Sequence, residues 1–248
     1  MKKVYLILAA FALLTFGMVS CERDDGQSNN DNQITPNPTS GQWVDLGLPS
    51  GLLWYSVNLG ATAPEQYGDY YAWAEIQPKS IYTWKYYTYG GYESGSDTYT
   101  IYKYNTKADY GTVDNLTTLQ PADDAATQQL GDGARIPTES EWYELIDNTT
   151  IEWTTLNNVK GRKYTAPNGN SIFLPAARGR NGSESFGFIM GHYWTASLHS
   201  SNNNPLLNPD DPSNACEMQF DDVYFLRSFP VCRAYGLSVR AVRSRSQN

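Results

Sequence analysis

The chain opens on Met1-Lys2-Lys3-Val4-Tyr5, two positive charges ahead of an almost unbroken apolar run from Leu6 to Phe16 that stops at Gly17. The run is about half the roughly 20 residues a membrane-spanning helix needs, and this order of charge and apolar run is the grammar of a secretory signal. From Glu22 to Gln42 the pattern inverts into Asn, Asp, Gln, Ser, Thr, Gly and Pro, with Ile34 as its one large aliphatic residue. Such a stretch is expected to form no core and to act as a tether, stiffened by Pro36 and Pro38. Val44 to Trp54 then alternates around a Pro49-Ser50-Gly51 turn, which predicts a hairpin of two short strands. The aromatic-dense stretch Gly68 to Glu75 reads as core, and Tyr82 to Tyr110, with no clean period, as long loops and short extended pieces. Asp123 to Leu130, acidic at its start and closed by Gly131, predicts a short helix. Thr138 and Glu141 have the spacing of a capping box, opening a helix to about Asn148 with Trp142, Leu145 and Ile146 on one face. Asn168-Gly169-Asn170 marks a turn before the strand Ser171 to Pro175. Tyr193 to Ser197, Cys216 to Phe220, Val223 to Arg227 and Leu237 to Val242 read as further strands, with Asp221-Asp222 as a turn. Few helices early and many strands late predict an α+β domain with a mainly antiparallel sheet.

About 200 of the 248 residues follow the tether, enough for one domain over residues 43–248, and no later stretch has a composition that would divide it. A net charge of −8 repels phosphate backbones, so no nucleic acid is expected as partner. The aromatic content, 19 Tyr, 7 Trp and 8 Phe, suits a loop-rich core and exposed recognition loops alike. Most Trp residues are assigned to the core, with Tyr224, Tyr235 and Asn202 to Asn204 kept as surface candidates. Met18-Val19-Ser20-Cys21 resembles a bacterial lipobox, which implies a signal peptide over 1–20, acyl chains on Cys21 and a lipidated flexible tether over 21–42. Glu22-Arg23-Asp24-Asp25 resembles the acidic signal of some Bacteroidetes lipoproteins, so the expected place is the outer face of the outer membrane, touched only through the lipid anchor. Cys216 and Cys232 remain in a compartment that permits disulfides, and spacing leaves open whether they bond across neighbouring strands.

Signatures of chemistry are thin. The two histidines, His192 and His199, have a spacing that fits neither a helical pair nor a strand pair facing one way, so no metal is expected. Gly182-Ser183-Glu184-Ser185-Phe186-Gly187 approaches the G-x-S-x-G elbow without matching it, and Asn208-Pro209-Asp210-Asp211-Pro212 lacks an EF-hand pattern. No P-loop, dinucleotide fingerprint or C-x-x-C occurs, so no cofactor is expected. Glu139 and Glu141 are explained by the helix start, and a carboxylate-pair glycosidase stays open only because a sequence hides the separation of its carboxylates.

Six stretches, in order along the chain, resemble the Fibrobacter succinogenes major paralogous domain family. They are Val44 to Trp54, Asp123 to Ala126, Arg135 to Trp142, Asn168 to Ala177, Tyr193 to Ser197 and Gly236 to Val242. That family looks like a branch of the C-type lectin-like fold, which implies two helices on a twisted, mainly antiparallel sheet with long loops. The resemblance further implies that a ligand is presented between about Leu198 and Tyr235. The ligand-binding candidates there are His199, Asn202, Asn203, Asn204, Asp221, Asp222, Tyr224 and Arg227, with Asp210, Asp211 and Arg233 in the same region. The Glu-Pro-Asn or Gln-Pro-Asp loop of calcium-dependent sugar-binding lectins is absent, as are the closely placed cysteines of the formylglycine-generating oxidases, so neither activity carries over. The resulting expectation is a non-catalytic surface lipoprotein that binds a protein or glycan ligand. An assembly subunit of the cell envelope is the alternative, and a glycan-active enzyme a more distant one.

Overall fold

The structure is a computed structural model that describes residues 32–92, 99–199 and 211–245, the side chains of 225–228 lying outside the description. In chain order its elements are β1 (Trp43–Asp45), β2 (Leu53–Asn58), β3 (Tyr70–Tyr71), β4 (Gly90–Tyr92), β5 (Tyr99–Ile101), α1 (Ala125–Leu130), α2 (Glu139–Asp147), β6 (Thr150–Leu156), β7 (Val159–Thr165), β8 (Ser171–Pro175), β9 (Gly179–Asn181), β10 (Glu184–Phe186), β11 (Gly191–Leu198), β12 (Asn214–Phe220), β13 (Phe225–Cys232), β14 (Leu237–Ser238) and β15 (Arg240–Arg243). A five-stranded sheet runs in the order β13-β12-β11-β14-β3, flanked by three-stranded sheets β1-β2-β15 and β6-β7-β8 and by the ribbons β4-β5 and β9-β10. Within these sheets only β11 and β14 pair in parallel. The protein is α+β, and no helix among the described residues is long and apolar enough to cross a membrane.

The five-stranded sheet is buried on both faces, because alternate residues of its central strands enter different cores. Trp194, Ala196, Leu198 and Ala215 point into one apolar cluster, which also takes Ala125 and Ala126 of α1. Tyr193, Met218 and Phe220 point into the other, with Trp142 and Leu145 of α2. Helix α2 starts where expected: the capping box of Thr138 and Glu141 is formed, and the helix ends at Asn148. Arg135 locks it further, donating from Nη1 to Glu141 Oε2 at 2.7 Å and from Nη2 to Oε1 at 2.5 Å. Burial would raise the Glu141 carboxyl, but the bonds from Arg135 and Thr138 outweigh it and hold the group below its ordinary value.

One buried cation joins three of the sheets. Arg240 of β15 is 0 % exposed. Its Nε and Nη2 donate to Asn58 Oδ1 at 3.0 and 2.7 Å, its Nη1 to the Tyr55 carbonyl at 3.0 Å, and its Nη2 also to the Phe173 carbonyl of β8 at 3.0 Å. Asn58 Nδ2 in turn donates to the Tyr193 hydroxyl of β11 at 3.2 Å, and that hydroxyl donates to the Pro175 carbonyl at 2.8 Å. Carbonyl dipoles rather than a carboxylate therefore solvate the charge, and burial lowers the guanidinium to about 10. Arg233 repeats the device at the end of β13. It bonds the Tyr87 hydroxyl and the carbonyls of Lys103, Tyr104 and Pro212, with its guanidinium 4.9 Å from the Trp73 ring centroid.

Two expectations change. The folded body begins before Trp43, so residues 32–42 do not belong to a tether. Asn32 is buried and accepts from the Ile81 amide at 2.9 Å, the Ile34 amide donates to the Pro78 carbonyl at 2.9 Å, and the Asn37 amide donates to Asp69 at 2.6 Å. The segment is held by polar bonds, which hydrophobic patterning does not register. The hairpin β6–β7 is an addition, with Asn157 and Asn158 at φ of 45° and 66°. That is the signature of a two-residue turn with both central residues left-handed, and Asn-Asn between alternating runs was its signal.

Replacing Arg240 with Met leaves the Asn58 and Phe173 oxygens buried without donors, and is expected to lower unfolding free energy by about 3 kcal/mol in urea titrations. A loss within about 0.5 kcal/mol contradicts the assignment. Because Glu141 is held low, its contribution is complete above 4.5 and fades as pH falls below that value. Glu141→Gln is therefore expected to destabilise by about 1 kcal/mol at neutral pH and to flatten the acid limb of the stability profile; an unchanged limb contradicts this.

Candidate functional site

The central strands define two opposite sheet ends. Gly191 faces Phe220 at one and Leu198 faces Ala215 at the other. At about 3.3 Å per residue, the five steps of β12 from Ala215 to Phe220 put roughly 17 Å between them. The residues named from the sequence do not form one site across this distance. His199 follows Leu198 and is 2 % exposed, its Nδ1 3.9 Å from Cys216 Sγ, so it is a core residue rather than a presented one. Arg233 and Tyr235 are buried as well. Asn202, Asn203, Asn204 and Asp210, the Arg227 side chain and Cys21 lie outside the described residues.

Asp221, Asp222 and Tyr224 lie at the other end, in the β12–β13 turn. Val223 and Tyr224 were expected in a strand, but β13 begins at Phe225. Asp221 builds the turn: its Oδ1 accepts from the amides of Val223 at 2.7 Å and Tyr224 at 2.5 Å, and its own amide donates to the Tyr224 carbonyl at 3.1 Å. Arg162 of β7 clips the turn from the neighbouring sheet, donating from Nε to the Asp221 carbonyl at 2.9 Å and from Nη2 to the Tyr224 carbonyl at 3.0 Å. The Asp221 carboxylate is thus committed to the turn, and the side chains turned outward are Asp222, Val223 and Tyr224.

A second loop, residues 187–190, joins β10 to β11 at this same end. The Met190 amide donates to the Gly187 carbonyl at 3.1 Å, and the Arg178 amide to the Met190 carbonyl at 2.8 Å. Ile189 has φ 58°, a left-handed conformation that is costly for a β-branched residue, about 1–3 kcal/mol. The loop does not hide its apolar residues: Phe188 is 78 % exposed and Ile189 40 %, beside a turn whose Val223 is 71 % and Tyr224 59 % exposed. The Arg178 guanidinium lies 5.3 Å from the Phe188 ring centroid. Below the loop, His192 Nδ1 meets Glu217 Oε2 at 2.8 Å, both side chains buried, and the Phe186 ring packs edge-on to the imidazole. A Cβ at Gly187, which has φ 75°, would stand 2.2 Å from His192 Nε2, so only glycine fits there. Scattered exposed apolar residues are normal on a soluble surface, whereas four converging on one sheet end are the pattern of an interaction site. The sequence reading missed this loop; Phe188-Ile189-Met190 between two glycines was its signal.

The cross-strand bond open for Cys216 and Cys232 is not made. Cys216 faces Pro230 and Cys232 faces Asn214, a diagonal relation about 7–8 Å long against the roughly 4.4–6.8 Å between Cα atoms that a disulfide spans. Cys216 is a buried thiol whose Sγ lies 3.7 Å from the Leu198 carbonyl. Among the described residues no three His, Cys, Asp or Glu side chains gather as a metal-binding group.

No family model, no curated protein and no solved structure matches the chain.

Ile189→Gly removes both the backbone strain and one apolar contact. Its Tm is expected to equal or exceed that of the parent, because glycine adopts the same φ without a steric cost. A clear drop in Tm would mean that the Ile189 side chain supports the fold rather than a surface.

Proposed function

We propose that the protein is a non-catalytic binding module of the cell surface, held to the outer membrane by lipid on Cys21, which engages a protein ligand with the sheet end formed by residues 187–190 and 221–224. The convergence of Phe188, Ile189, Val223 and Tyr224 on that end carries the reading. Protein interfaces concentrate their energy in a few aromatic and apolar anchors with polar groups around them, and Asp222 and Arg178 supply such a rim. A protein is preferred to a glycan because Val223 and Ile189 offer a sugar no hydrogen bonds. The resemblance to the Fibrobacter succinogenes major paralogous domain family and its C-type lectin-like fold belongs to this proposal. The pairing of the first strands β1 and β2 with the last strand β15, and one helix on each core, support it.

A photo-cross-linking residue at position 224, in the full chain on intact cells, is expected to capture a discrete protein. Capture should disappear when Phe188 and Val223 are changed to Ser while Tm stays within a few degrees of the parent. Equal capture from an exposed control position such as 113, or capture that survives the double change, contradicts the site. A stoichiometric envelope protein as the product would identify assembly as the purpose, and a soluble or host protein recognition. For the anchor, Cys21→Ser is expected to abolish incorporation of a palmitate analogue and to release the chain from membranes. Recovery of Cys21 in a disulfide with Cys232 would overturn the anchor, since a thioether sulfur cannot also enter a disulfide.

A further inference from the structure

A second site lies beyond the turn of the β9–β10 hairpin, away from the apolar sheet end. A cavity of about 330 Å³ opens there, at the lower end of the range for small-molecule pockets. Ile34, Asp69, Tyr70, Arg180 and Ser183 are among the residues that line it, with Lys79, whose ammonium is paired with Glu75. Arg180 is half-buried, with its guanidinium 5.0 Å from the Tyr70 ring centroid. Its side chain reaches the Ser183 carbonyl from Nη1 in one long hydrogen bond of 3.4 Å and also bonds the Tyr70 hydroxyl, and it meets no carboxylate within ion-pair distance among the described residues. Its remaining donors are uncommitted where the residue lines the cavity, and the planar fork matches a carboxylate with two parallel bonds. Asp69 is buried and receives the amide and the side-chain amide of Asn37, which leaves each carboxylate oxygen a further lone pair. A lone buried carboxylate and an uncommitted guanidinium lining one polar cavity present opposite charges to whatever enters it.

We infer that this cavity binds a small carboxylate-bearing molecule that also carries hydroxyl or ammonium donors, its carboxylate on Arg180 and its donors toward Asp69. Acidic sugars and amino acids both have this chemistry, and the cavity holds either. Ile34 of that lining belongs to the segment leading back toward the N-terminus: the Ile34 amide bonds the Pro78 carbonyl and Gln33 bridges Lys79. Occupancy therefore firms that segment against the body. The site is independent of the apolar sheet end, and either stands if the other fails.

Calorimetric titration of the full chain with glucuronate, alanine and neutral glucose tests it. At least one of the two carboxylates is expected to bind with a millimolar or tighter Kd, and to lose tenfold or more in affinity as its methyl ester and against Arg180→Gln. Arg180→Lys, which keeps the charge and loses the fork, should fall between. Amide exchange at residues 33–35 is expected to slow in the bound state, a readout that global destabilisation would move the other way. Glucuronate without alanine assigns the acidic sugar, and the reverse the amino acid. Binding by neither, binding by glucose equal to glucuronate, or affinity untouched in Arg180→Gln overturns the inference.

Discussion

The fold hangs on a charge with no countercharge among the described residues. Arg240 stands at the point where β15, β2 and β8 meet beside β11, and its guanidinium is solvated by Asn58 Oδ1 and the carbonyls of Tyr55 and Phe173. Removing a cation from water is costly, and only a full set of well-placed acceptors offsets it. Those acceptors come from strands far apart in sequence, so they are in place only when the sheets are assembled. The interaction thus favours the complete fold over partial ones, a consequence that apolar packing alone, being non-directional, does not provide.

That rigidity shapes the exposed end of the sheet. Arg162 spans from β7 to the carbonyls of Asp221 and Tyr224, so one side sheet braces the turn of the central one. The opposing loop rests on the buried His192–Glu217 pair, with Gly187 lying directly over the imidazole. A surface whose backbone is fixed before contact loses little conformational freedom on binding. The left-handed Ile189 fits the same picture, since strain of this kind persists only where surrounding structure enforces it.

Much of the local architecture was legible in the chain. The capping box at Thr138 and Glu141, the hairpin around Pro49 to Gly51, the turn at Asn168 to Asn170 and the burial of most Trp residues all follow from contacts a few residues apart or from bulk hydrophobicity. The candidate site was legible only in part. Asp221 and Asp222 are at a turn as their types suggest, whereas Tyr224, expected in a strand, joins them there, and His199 is close to them in sequence order and about a strand's length away in space. Periodicity does not reveal which end of a sheet a loop occupies, because that depends on strand direction and pairing. Arg233 escaped for a related reason: a lone arginine in a sequence reads as surface, and its burial depends on carbonyls contributed by distant strands. The N-terminal segment from Asn32 was misjudged because its attachments are hydrogen bonds, accepted by the Asn32 and Thr39 side chains and donated by the Asn37 amide, invisible to a search for apolar positions.

Native-state hydrogen exchange of Arg240→Met measures most directly whether one buried cation holds the sheets together. The amides of β2, β8 and β11 should lose protection by a common amount and open as a single unit, with the loss shared across strands distant in sequence. Faster exchange confined to β15, with β8 and β11 protected as in the parent, would contradict the account.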